Sequence, residues 1–160
     1  MRRLSVKLAC AAVVLVVLAG CGPASAADGA QAIRAQWRVE AVPGDDWPAY
    51  WLVNKDHSAL RQEMFLAGPI AGERPWISDV VTVDGKRGIY LIVYYAGQPG
   101  TSELVDVFYA LVYDARDKAI LGHYPYSRKS CRNDYGPEWI FGNNRIRIRD
   151  EGAEIVVIDY

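Results

Sequence analysis

Histidine and paired cysteine are both scarce: the 160 residues hold two His and three Cys. Metal centres need His, Cys, Asp or Glu clustered at short spacings, and no such cluster occurs, so no metal is expected. A Gly-rich phosphate loop, a G-x-S-x-G elbow and a zincin helix are missing too, which leaves no cofactor motif. Asp45 and Asp46 come nearest to a carboxylate pair, but neighbours in Pro43-Gly44-Asp45-Asp46 are turn formers. Lys55-Asp56-His57-Ser58 gathers Asp, His and Ser in one tetrapeptide. Triads are assembled across a fold, so Asp56 and Ser58 are read as helix caps instead. These absences predict a protein that is not an enzyme.

An apolar run of the roughly 20 residues that a bilayer-crossing helix requires is also lacking. The longest run, Leu8 to Ala19, follows Arg2, Arg3 and Lys7, which is the layout of an export signal. It leads into Leu18-Ala19-Gly20-Cys21, while Ala24-Ser25-Ala26 offers a second, small-x-small cleavage site. Leu18 to Cys21 resembles the lipobox of bacterial lipoproteins. That resemblance implies that residues 1–20 are a signal peptide and that Cys21 becomes the first mature residue. It further implies a diacylglycerol thioether on Cys21 with an acyl chain such as palmitate on its amine, a lasting membrane anchor. Gly22, where Asp would favour the inner membrane, implies the periplasmic face of the outer membrane.

Removing residues 1–20 leaves 15 basic and 19 acidic residues, a net charge of about −4, which does not suit a general nucleic-acid binder. Cys10 leaves with the signal and Cys21 is acylated, so Cys131 has no partner within the chain and is expected as a partly buried structural thiol. Residues 21–35 read as a lipidated, flexible tether, with the alternative that part of Ala27 to Gln36 turns helical and docks. Residues 36–160 are long enough for one compact domain.

Within that domain the pattern is mainly β. Gln36 to Val42 alternates as a strand that buries Trp37, Val39 and Ala41. Ser58 to Ala67 reads as the one short α-helix, with Leu60 and Met64 on one face and Gly68-Pro69 at its end. Val80 to Val83 and Gly88 to Tyr95 flank the turn formers Asp84-Gly85. Ile89 to Tyr95 is apolar on both faces and is predicted to lie centrally in a sheet. Leu104 to Tyr113 and Ala119 to Tyr124 extend an antiparallel meander, followed by a long irregular segment from Pro125 to Glu138. A last hairpin pairs Asn144 to Arg149 with Ala153 to Asp159 through Glu151-Gly152, placing Ile148 opposite Ile155, Ile146 opposite Val157 and Arg149 opposite Glu154. The expected fold is an antiparallel β-sandwich or a strongly curved meander sheet with one short helix.

Three groups are candidates for contact with a partner protein of the cell envelope. Arg128, Lys129 and Arg132 lie on the segment after Tyr124. Arg145, Arg147 and Arg149 form an outward row that could grip carboxylates, phosphates or an acidic protein patch. Trp47 and Trp51 belong to the densest aromatic cluster, which could anchor an interface or plug one end of the domain. The sequence thus predicts a lipid-anchored, non-enzymatic protein-binding module. An immunity or inhibitor lipoprotein and an accessory piece of a secretion or outer-membrane assembly machine are alternatives.

Overall fold

A computed structural model describes residues 26–44, 48–67, 74–99 and 104–160. The chain runs through α1 (Ala26–Gln36), β1 (Trp37–Val42), β2 (Ala49–Asn54), β3 (Arg61–Glu63), β4 (Ile77–Asp84), β5 (Ile89–Gly97) and β6 (Val105–Asp114). It continues through β7 (Ala119–Ser130), β8 (Asp134–Tyr135), β9 (Glu138–Gly142), β10 (Arg145–Asp150) and β11 (Ala153–Asp159). The fold is mainly β, with antiparallel pairing throughout.

The strands form three sheets. The largest, in the order β4-β5-β6-β7-β8, is strongly curled and lies between the other two, β1-β2-β3 and β11-β10-β9. Strand β5 explains this layering. Its successive side chains alternate between two cores: Tyr90, Ile92, Tyr94 and Ala96 pack with Trp37, Leu52 and Ile33 on one face. Ile89, Leu91, Val93 and Tyr95 pack with Ile146, Ile148 and Ile158 on the other. A strand apolar on both sides needs a cover on each, and the first and last thirds of the chain supply them.

The expected helix at Ser58–Ala67 is not formed. Residues 61–63 are instead strand β3, paired to β2 through Trp51–Glu63, Leu52–Gln62 and Val53–Arg61. Buried Asn54 organises the turn before it, its Oδ1 accepting the N–H groups of Asp56 and His57 at 3.0 Å each. Leu60 and Met64 do share a core, but positions four apart lie on one side of an extended chain as well as of a helix.

The short helix is α1, in the segment expected to be a loose tether. Ala30 and Ile33 pack into the core beside Trp37, and Asp28 and Arg34 lie at the helix ends that favour their charges. Arg34 also crosses to β4, donating to Ile77 O at 2.7 Å and Ser78 O at 3.1 Å.

Two turns of the central sheet share one device. Asp84 Oδ1 accepts the N–H of Lys86 and Arg87, and Asp114 Oδ1 accepts those of Arg116 and Asp117. At the β10–β11 turn Glu151 and Gly152 have φ of 49° and 82°, the left-handed pair that a two-residue hairpin of this twist requires. A bulge between Ile148 and Arg149 corrects the expected register there. Arg149 faces Glu154 as the alternation predicts, but Ile148 faces Val156 and Ile146 faces Ile158. The extra residue leaves Ile155 and Val157 on the outer side, 52% and 45% exposed.

Candidate functional site

The three candidate groups do not come together. Trp51 lies on β2, on one side of the central sheet, and the arginine row lies on β10, on the other. Trp51 is half-buried between register partners Glu40 and Glu63, with the Arg61 guanidinium 5.0 Å from its ring centre. Trp47 falls outside the described residues.

The segment from Pro125 is more ordered than its composition suggests. Strand β7 continues to Ser130, pairing Arg128 with Val107 and Lys129 with Asp106, and β8 adds Tyr135 opposite Arg128. A bulge at Phe108/Tyr109 admits Tyr126 as the extra residue, which the strand signal, broken by Pro125, did not reveal. Lys129 Nζ rests 5.3 Å above the Phe108 ring. Arg132 lies in the exposed turn that Ser130 Oγ caps, and Cys131 beside it is exposed, not partly buried as expected. Gly136, with φ 152°, crosses directly over Ser127, where a Cβ would stand 3.0 Å from its Cα.

Arg128 and the C-terminal hairpin meet at a cleft of about 500 Å³. Phe108, Ser127 and Arg128 form one side, and Tyr135, Pro137, Glu151 and Ile155 help enclose it. Ser127 Oγ is buried beside this cleft without a hydrogen-bond partner among the described residues.

The outer face of the β9-β10-β11 sheet holds the arginine row in a defined lattice. Arg147 at its centre is flanked by Ile140 on β9 and Val157 on β11. Arg145 Nε donates to Asp159 Oδ1 at 2.5 Å, a hydrogen bond that raises the guanidinium pKa above its ordinary value. Arg147 lies 4.0 Å from Glu154, and Arg149 stands in register between Glu138 and Glu154. The row faces outward as predicted, but three carboxylates on flanking strands offset its charge. Such exposed pairs contribute little to stability, about 0–1 kcal/mol each, so the face is mixed apolar and ionic and not a simple anion grip.

A second grouping escaped the sequence because its members are far apart in the chain. Tyr94 Oη lies 2.7 Å from His123 Nε2 and accepts the Phe65 N–H at 2.8 Å. The direction of the Tyr94–His123 hydrogen bond is set by the imidazole tautomer, and His123 Nδ1 is buried without a hydrogen-bond partner among the described residues. The Phe65 ring stacks on the imidazole at 4.6 Å and 10°, and Tyr109 borders both. Burial lowers the His123 pKa to about 4, so the ring is neutral at pH 7. Burial likewise raises the Tyr94 pKa. His123 is only partly buried, and Phe65, which stacks on it, is itself 51% exposed.

Comparison of the chain with protein-family models, with curated proteins and with solved structures finds no match.

Proposed function

We propose that the protein is a lipid-anchored, non-enzymatic protein-binding module of the bacterial envelope, held by acylated Cys21 at the periplasmic side of the outer membrane. The observation that carries the binding role is the outer face of the β9-β10-β11 sheet. There Arg145, Arg147 and Arg149 interleave with Ile140 and Val157, on the face opposite to buried Ile146 and Ile148. Mixed faces of Arg and half-exposed aliphatic residues suit reversible protein contacts, in which Arg is enriched.

Helix α1 bears on the anchor. It starts at Ala26, five residues after Cys21, and at about 3.5 Å per residue that distance is at most about 17 Å. A domain held so closely meets its partner near the membrane surface. Cys21→Ser is expected to move the protein from the membrane to the soluble fraction, and membrane retention of that variant would refute the anchor.

The contact face is tested by recovering partners from solubilised membranes with Cys21 intact. Changing Arg145, Arg147 and Arg149 together to Ser is expected to reduce partner recovery at least tenfold while the unfolding midpoint shifts little. Undiminished recovery would remove this face from the account.

A further inference from the structure

A sheet edge is a row of unpaired N–H and C=O groups, and proteins normally shorten, cover or charge it to prevent pairing with other chains. Among the described residues, most of the six edges are treated in that way. Helix α1 lies against β4, with Arg34 bound to its carbonyl oxygens. Strand β8 has two residues and β3 has three, with Arg61 and Glu63 exposed. Strand β1 carries the Arg38–Glu40 ion pair and follows directly on α1. Strand β9 is fastened to the central sheet by Trp139, whose Nε1 donates to Pro125 O at 3.2 Å.

The sixth edge, β11, is seven residues long and no described strand covers it; it carries the bulged Ile155 and two acids, Glu154 and Asp159, each ion-paired to β10. Its seven residues, AEIVVID, contain neither Lys nor Pro, and Ile155 and Val157 are about half exposed. Among the described residues no strand pairs with its outer side. We propose that β11 is a docking edge that takes an extended, basic-ended segment of a partner protein as a further strand of the C-terminal sheet. This inference rests on the protein-binding reading above and specifies how that sheet would engage its partner.

Charge selects the occupant. From Asp150 to Tyr160 the chain carries Asp150, Glu151, Glu154 and Asp159 and no basic residue. Across the sheet, Arg145 on β10 is followed by Asp159 on β11, and Arg149 by Glu154. Opposite charges on neighbouring strands are favourable and like charges are not, so the next strand outward should present cations at its ends. Between those ends Val157 and Ile155 call for apolar or β-branched partners. A second copy adding its own β11 would bring Glu154 and Asp159 beside the same acids, which argues against self-pairing. Ile155 also lines the cleft with Arg128 and Tyr135, so a segment running along β11 continues into an existing groove.

The test uses the full mature chain in detergent and an acetylated heptapeptide of alternating valine and threonine with arginine at each end. A control peptide carries glutamate at both ends. Hydrogen exchange and titration are followed for the parent and for Ile155→Gln with Val157→Gln, a neutral change at two exposed positions. The arginine-ended peptide is expected to bind at least tenfold more tightly than the control and to slow exchange of amides within 153–159. The double Gln variant is expected to lose at least tenfold in affinity while keeping its unfolding midpoint.

Equal binding of the two peptides, protection elsewhere in the chain, or no effect of the Gln changes would overturn the proposal. So would a peptide-free dimer that those changes dissociate, which would make a second copy the occupant. Full membrane partner recovery by the Gln variant, with loss in the triple Arg variant, would sink the edge and keep the protein-binding reading. Full recovery in both variants would sink the two together.

Discussion

Leu91→Ala and Ile92→Ala are each expected to lower the unfolding free energy by about 3 kcal/mol, within the roughly 2–5 kcal/mol range for truncating buried aliphatic residues. The two residues are neighbours on β5, both fully buried, and they point into different cores. In a sheet with one wet face, the second of two adjacent truncations would cost little, because its side chain would already be in water. Here Leu91 packs in the core that includes Ile146 and Ile148, and Ile92 in the core that includes Trp37 and Leu52. Equal losses in urea unfolding would therefore report three layers. A loss below about 1 kcal/mol at either position would mean that its face is not covered.

Acid is expected to weaken the fold through His123. Burial sets its folded pKa at about 4, below its ordinary 6.5, so the unfolded chain binds the proton first as pH falls. Stability from this group is complete above pH 6.5, declines between 6.5 and about 4, and is not lost further below that value. At about 1.4 kcal/mol per pH unit, the loss approaches about 3 kcal/mol. Protonation would also leave Nε2 a donor only, facing Tyr94 Oη with the Tyr109 ring beside it. Denaturant unfolding from pH 7 to 4 should show this slope in the parent and a shallower one in His123→Gln, whose amide can still hydrogen-bond Tyr94. Identical slopes would show that His123 is not the group responsible.

The sequence reveals the centre of this fold better than its periphery. Ile89 to Tyr95 announces two-sided burial because no polar residue interrupts it, and the turns after Asp84 and Asp114 are marked by residues whose carboxylates cap the backbone. The error at Ser58–Ala67 follows from an ambiguity: apolar residues four apart satisfy a helix and a strand alike. Helix α1 is legible only as an alternative to a tether, because its buried stripe comprises just Ala30 and Ile33 before Trp37.

The candidate site was legible in part. Strict alternation in Arg145–Arg149 places the guanidinium groups outward, but their pairing with Glu154 and Asp159 depends on strand register. One bulged residue moves Ile155 and Val157 from the expected interior to the surface, and alternation alone cannot reveal a bulge. Asp150, Glu151, Glu154 and Asp159 are spaced among apolar residues, and only the sheet order places Glu154 and Asp159 on an edge strand. His123 and Tyr94 are 29 positions apart, and nothing local marks them as neighbours.

Photo-crosslinking in intact envelopes tests the central claim most directly, with a benzophenone side chain placed at Val157 on one side of the domain or at Trp51 on the other. The account predicts a discrete adduct from position 157, suppressed by the arginine-ended heptapeptide, and none from position 51. An adduct from position 51 with none from 157 would contradict it, and would place the partner on the β1-β2-β3 sheet instead.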